Sequence, residues 1–128
     1  MLSYLNEHEL QLTSRFLFLS MAIIVINRDI ETIRNGPFKF KEPYIKLLEK
    51  MLTQATKERR LLRQSMKKYN MQVTLLQKDD LFSTFLFVSN KREEKRNYFN
   101  PAIKKNVEKI FWDLLLEANV DIENYPEV

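Results

Sequence analysis

Cysteine is absent from the sequence, which excludes a disulfide framework, Cys-ligated zinc and any thiol nucleophile. There is one glycine, Gly36, so neither a Gly-rich phosphate loop nor a dinucleotide fingerprint can be built. The one histidine, His8, leaves no HExxH zinc site and no Ser-His-Asp arrangement. Long hydrophobic runs are also missing. The longest apolar stretch, residues 16–26, has eleven residues, whereas a membrane-spanning helix needs about 20. Arg15 and Arg28-Asp29 bracket it closely. The residues ahead of it carry Glu7 and Glu9 rather than a basic cluster, and Asn27-Arg28-Asp29 is a poor cleavage site. The stretch therefore reads as a core helix, and the expectation is a cytoplasmic chain without membrane contact.

What is present is ordinary globular material. The chain has 128 residues, 45% hydrophobic and 30% charged, with a net charge of +4. That composition fits one domain over residues 1–128 and excludes a disordered chain. Within residues 7–35, Leu12, Phe16, Leu19, Ile23, Ile26, Ile30 and Ile33 follow alternating spacings of four and three, an unbroken helical seam. Asn6 with Glu9 three residues on forms a capping-box pattern. Gly36 fits the left-handed position after the helix. Leu17, Phe18, Met21, Ile24 and Val25 make the other faces apolar too, which predicts a helix buried on all sides.

A linker with Pro37 and Pro43 follows, and its Phe38 and Phe40 are expected to pack onto the helix ends. Pro43 suits the first turn of a second helix over residues 43–69. Ile45, Leu48, Leu52, Ala55, Leu62, Met66 and Tyr69 give it a matching seam, interrupted by Arg59 and closed by Asn70. Two helices of similar length joined by a short linker should pair antiparallel. Residues 71–99 change character. Stretches 71–76 and 82–88 are rich in β-branched and aromatic residues around the turn-like Gln77-Lys78-Asp79-Asp80, which predicts a β-hairpin. A third strand over 94–99, or instead a helix over 80–95, are both compatible with the pattern. A last helix over 101–119 is capped by Asn100, has Pro101 at its first position and carries the seam Ile103, Val107, Ile110, Leu114. Residues 120–128 form an acidic tail. The fold class is mainly α with an α+β element: a long antiparallel helical hairpin, a small β-hairpin and a C-terminal helix. A first helix of 29 residues would be about 43 Å long, too long for so short a chain to wrap, so a homodimer is expected to cover the remaining apolar surface.

Charge is unevenly spread. Residues 42–69 hold eight basic and three acidic side chains, and residues 101–128 hold three basic and six acidic. The excess lies in Lys57, Arg59, Arg60, Arg63, Lys67 and Lys68. These form the candidate surface for a protein partner or for nucleic acid. The plainer reading is a solvated face at a helix C-terminus, where cations suit the macrodipole, with some pairing to Glu117, Asp121 and Glu123. Arg59, inside an apolar seam, either meets a carboxylate across the helix pair, marks a partner site, or snorkels at the seam edge. Trp112 is either an interface anchor or a cover for the sheet. Asp79-Asp80 and Glu93-Glu94 are adjacent carboxylates, but they fall where turns are expected. His8 lies in a first helical turn without metal partners. No catalytic residue, cofactor site or metal site is assigned.

The strings Asn97-Tyr98-Phe99-Asn100-Pro101 and Gly36-Pro37-Phe38-Lys39-Phe40-Lys41-Glu42-Pro43 resemble small uncharacterised proteins of Gram-positive bacteria and their phages. In those, a helical pair ends in a Gly-Pro-Phe linker and a strand pair leads into an Asn-Pro-capped helix. The resemblance implies the architecture and brings no site with it. The expected function is a small non-enzymatic protein-interaction or regulatory module, of phage or mobile-element origin, that presents helix surface to itself or to a host protein. The alternative is a nucleic-acid-binding accessory protein using the basic half of the second helix.

Overall fold

The computed structural model describes residues 4–118. Helices α1 (Glu7–Asn35) and α2 (Glu42–Lys68) are followed by strands β1 (Gln72–Lys78), β2 (Phe82–Ser89) and β3 (Arg92–Phe99), then by helix α3 (Asn100–Glu117). Contacts between the first two helices join low numbers to high ones, Arg15 to Glu58 and Arg34 to Glu49, so the pair is antiparallel. The expected mainly α architecture is present.

The seams meet. Leu19, Ala22, Ile26 and Ile30 of α1 pack with Ile45, Leu48, Met51 and Ala55 of α2, and Ile110, Leu114 and Ala118 close the third side. Burying each large side chain contributes about 1.5–3 kcal/mol, against about 0–1 kcal/mol for an exposed ion pair. The matched apolar stripes, not the charges beside them, hold the helices together.

Burial around α1 is not complete. Ile24 is 52% exposed and Val25 37% exposed, which corrects the expectation of a helix covered on every side. The α1 surface is shared among α2, α3 and the sheet, and these leave one strip uncovered. The helix is long and apolar enough to cross a membrane, with a mean hydropathy of 1.6 over its most apolar window.

The sheet is an antiparallel meander in the order β1-β2-β3: the expected β-hairpin is β1–β2, the third strand is the reading that holds for the residues after it, and the helical alternative over residues 80–95 is excluded. The third strand starts at Arg92, which pairs with Ser89. The turn between them is therefore Asn90-Lys91, and Glu93 and Glu94 lie in the strand rather than in the turn expected for them. Asn90 takes φ 56°, a left-handed conformation that asparagine tolerates. Alternation along β2 buries Ser83, Phe85, Phe87 and Ser89 on one face. Phe85 and Phe87 join Leu5 in a second apolar cluster packed against α1.

Helix α2 ends as expected at asparagine. Asn70 has φ 50°, its N–H donates to the Lys67 carbonyl, and the Met71 N–H donates to the Met66 carbonyl at 2.9 Å, a Schellman closure.

Three local expectations are corrected. Gly36 is not left-handed; it is extended, with φ −91° and ψ 175°. Glycine is needed there for space, since a Cβ would sit 2.6 Å from the Thr32 carbonyl oxygen and 3.1 Å from the Phe38 ring. Asn100 does not cap α3. Its side chain accepts from Ser83 Oγ and donates to the Asp79 carbonyl, tying the helix start to the β1–β2 turn. Phe38 leans on Tyr44 with ring centres 6.1 Å apart, but Phe40 stays 67% exposed. The expected helix end at Asn119 and the acidic tail lie outside the described residues.

Candidate functional site

On α2 the basic residues separate into two groups. Lys57, Arg60, Arg63, Lys67 and Lys68 are exposed. With 3.6 residues per turn, Arg60, Arg63 and Lys67 fall on one outward stripe, and Lys57 and Lys68 on its neighbour. Among the described residues, no ion pair engages any of the five within 4.0 Å. Arg63 and Lys67 also line a cavity of about 370 Å³ with Phe16, Met66, Met71 and Val73, where α2 approaches β1.

Arg59 turns the other way. Its Nε donates to Ser20 Oγ at 2.8 Å, and its guanidinium carbon lies 4.7 Å from the Phe16 ring centre. It therefore stacks on an aromatic ring of α1 and meets a hydroxyl rather than a carboxylate. The cross-helix carboxylate contact belongs instead to Arg15, which donates to Glu58 through Nε at 2.6 Å and Nη2 at 3.0 Å. Those bonds to Glu58 hold the Arg15 guanidinium pKa above its ordinary value against the effect of burial. Of the candidate acids for pairing with the basic stripe, Glu117 accepts from Gln54; Asp121 and Glu123 lie outside the described residues.

The adjacent carboxylates are drawn apart or used locally. Strand alternation sends Glu93 and Glu94 to opposite faces of the sheet, and Glu94 pairs with Arg96 at 3.0 Å. Asp79 accepts from the N–H groups of Phe82 and Leu81, which hold its carboxyl below the usual range. His8 and Trp112 are exposed, Trp112 by 56%, so the tryptophan does not cover the sheet. Among the described residues, no group of three or more His, Cys, Asp or Glu is placed to hold a metal ion.

Two arrangements were not legible in the sequence. Glu9, read as half of a capping box, does accept the Asn6 N–H at 2.9 Å. It is also only 5% exposed and accepts from Ser89 Oγ and Arg92 Nη2. Burial pushes its carboxyl up, but the Ser89 hydroxyl, the Asn6 N–H and the Arg92 charge outweigh that and hold it below its ordinary value. One carboxylate thus joins the start of α1 to the β2–β3 turn.

The second is an apolar trough along the uncovered strip of α1. Two adjoining cavities share Met21, Val25 and Lys104. The one of about 660 Å³ runs beside α3, past Asp29, Val107, Glu108 and Phe111. The one of about 510 Å³ runs beside the sheet, past Ile24, Arg28, Leu75, Lys78 and Phe85. Its floor is apolar and charges sit on its rims. The signal in the sequence was the surplus of apolar residues outside the α1 seam.

No solved structure matches the chain. The chain is 34% identical over 106 residues to the uncharacterized protein YhjD of Bacillus subtilis (strain 168), covering 83% of this chain and 88% of the relative. That bears out the likeness to small bacterial proteins read from the linker and the Asn-Pro string; it does not address the phage part of that likeness. The family described as YhjD protein matches residues 4–119, a range that contains all three helices and the sheet. The chain belongs to the YhjD protein family.

Proposed function

We propose that this chain is a small non-enzymatic interaction module that works in the cytoplasm by presenting the uncovered strip of α1 to another protein. The observation that carries the reading is the trough: Ile24, Val25 and Leu75, the last 50% exposed, stand together between α3 and the sheet. An apolar floor with a charged rim is the make-up of a protein interface. A hydrophobic patch of this kind is costly to leave in water and marks a contact surface.

Site-specific photo-crosslinking in living cells tests the reading. A benzoyl-phenylalanine at position 24 should yield discrete protein adducts, and the same probe at the outward Gln64 should not. Absence of adducts at position 24 would refute it. Cell fractionation tests the location. The chain should stay in the soluble fraction; recovery with integral membrane proteins would replace this reading with a spanning role for α1. A phage or mobile-element setting belongs to the same proposal, and gene neighbourhood tests it.

A second reading rests on the exposed stripe of Arg60, Arg63 and Lys67. Such a row suits the phosphates of a nucleic acid, whose binding weakens by orders of magnitude between low and moderate salt. Arg63→Glu with Lys67→Glu should abolish retention on a nucleic-acid column at low salt. Unchanged retention, or none by the native chain, would remove this reading.

A further inference from the structure

Resting on the trough reading, we propose that the sheet-side half of the trough takes an acidic amphipathic segment of another protein, with its carboxylates over Arg28, Lys78 and Lys104. The cavity there, of about 510 Å³, is a corner with three walls: α1, the end of the sheet near the β1–β2 turn, and the start of α3. Its apolar floor includes Ile24, Val25, Leu75 and Phe85. Among the described residues that line it, the charged ones are Arg28, Lys78 and Lys104, and none is a carboxylate. All three cations are exposed, and among the described residues no ion pair within 4.0 Å engages any of them. Asp29 and Glu108 line the adjoining cavity beside α3, and Lys104 stands on the border shared by both. The unopposed positive charge is therefore on the sheet side.

An irregularity of the sheet puts one of these cations in place. Ser83 and Phe85 point to the buried face of β2. Leu75 lies opposite Phe85, so it shares that face. Lys78 comes three residues after Leu75, and strict alternation would turn it to the other face. The register slip between Leu75 and Gln77 sets Gln77 opposite Thr84 and Lys78 opposite Ser83, which returns Lys78 to the face of Leu75. In an unbroken register Gln77 would stand there instead. Bulges recur beside functional sites, where they re-aim a side chain; this one exchanges an amide for a cation at the rim. The charge then selects the occupant. Like-charge repulsion disfavours a basic segment. A nucleic acid gains nothing from a floor of Ile24, Val25 and Leu75. A segment whose carboxylates flank its apolar side chains satisfies floor and rim together.

Fluorescence anisotropy on the purified full chain tests the charge preference. The probes are two labelled amphipathic peptides with the same leucines at helical spacing, one carrying glutamate and the other lysine at the polar positions. The glutamate peptide should bind about tenfold or more tightly than the lysine peptide. Arg28→Glu with Lys78→Glu should weaken its binding by about tenfold. Gln77→Glu, on the opposite face of the sheet, should leave it within about twofold, and so should Arg63→Glu with Lys67→Glu on α2. All five positions are exposed, and an unshifted thermal midpoint confirms that each variant folds. Equal binding of the two peptides, binding of neither, an equal loss in Gln77→Glu, or a loss on reversing the α2 charges would overturn the proposal. In cells, the adducts of the probe at position 24 should disappear when Arg28→Glu and Lys78→Glu are added. Adducts that persist overturn the acidic occupant and leave the trough reading standing, whereas no adduct from the otherwise native chain removes both. An adduct of twice 15.5 kDa would give the trough to a second copy of the chain and overturn this occupant.

Discussion

Replacing Glu9 with alanine should cost the fold about 3 kcal/mol. Oε1 accepts the Asn6 N–H and Oε2 accepts the Ser89 hydroxyl and the Arg92 guanidinium. Breaking a buried ion pair by removing one partner costs about 3–5 kcal/mol, and a hydrogen bond to a charged group contributes about 1.5–3 kcal/mol. The Arg92 side chain is 34% exposed and regains water once released, which places the loss at the lower end. Glu9→Gln keeps an acceptor for the Asn6 N–H alone, turns its amide NH2 toward Ser89 and Arg92 and loses the charge, so about 2 kcal/mol is expected. For a domain of this size, 3 kcal/mol lowers the thermal midpoint by roughly 10 °C. Urea unfolding followed by far-UV circular dichroism measures both variants. The pH dependence has a definite sign. The carboxyl is held below its ordinary value of 4.5 in the fold, so its contribution is present above that pH and is lost as pH falls through the lowered value. Glu9→Gln should therefore flatten the acid limb of the stability curve relative to the native chain. A Glu9→Ala loss below about 0.5 kcal/mol, or an unchanged acid limb in Glu9→Gln, would refute the claim that this carboxylate anchors the β2–β3 turn to α1.

Gly36→Ala should destabilise by about 1–2 kcal/mol, because a Cβ 2.6 Å from a backbone carbonyl forces the chain to move. Gly36→Asn should do no better, since the backbone there is not left-handed; a rescue by asparagine would show that conformation rather than space governs the site. Arg59→Ala should cost about 1–2 kcal/mol through loss of the Phe16 stacking and the Ser20 bond. Arg59→Lys should recover only part of this, because an ammonium lacks the planar face and the Nε donor. Chemical denaturation measures both, and equal stability of the lysine variant with the native chain would count against the stacking.

The helices were legible because their signals are local and repeated. The Leu19–Ile26–Ile30 and Ile45–Leu48–Ala55 spacings register over many turns, and their burial agrees with the pattern. Asn70 was legible for the same reason, since a seam that stops at asparagine leaves few other closures. What escaped depends on distant partners. Whether Ile24 and Val25 are covered turns on the placement of the sheet and α3, which begin only at Gln72 and Asn100. Glu9 read only as half of a capping box because Ser89 and Arg92 are eighty and eighty-three residues away. Gly36 was read from its commonest use, whereas the constraint is a carbonyl and a ring that only the folded linker brings close. Of the candidate basic surface, five positions lie outward as helical spacing implies. Arg59 departs from it because Phe16, one helix away, offers its guanidinium a better seat than water.

The two rims of the sheet carry a consequence of their own. A strand with one side unpaired is a template for fibre growth, and natural sheets blunt such borders with charge or irregularity. Along β3 the run Arg92-Glu93-Glu94-Lys95-Arg96 places a charge at every position. Along β1 the register slips between Leu75 and Gln77, which breaks the repeat that an added strand would need. Stacking of copies sheet to sheet is thus discouraged at both borders, and an accumulated, concentrated chain should resist conversion to amyloid.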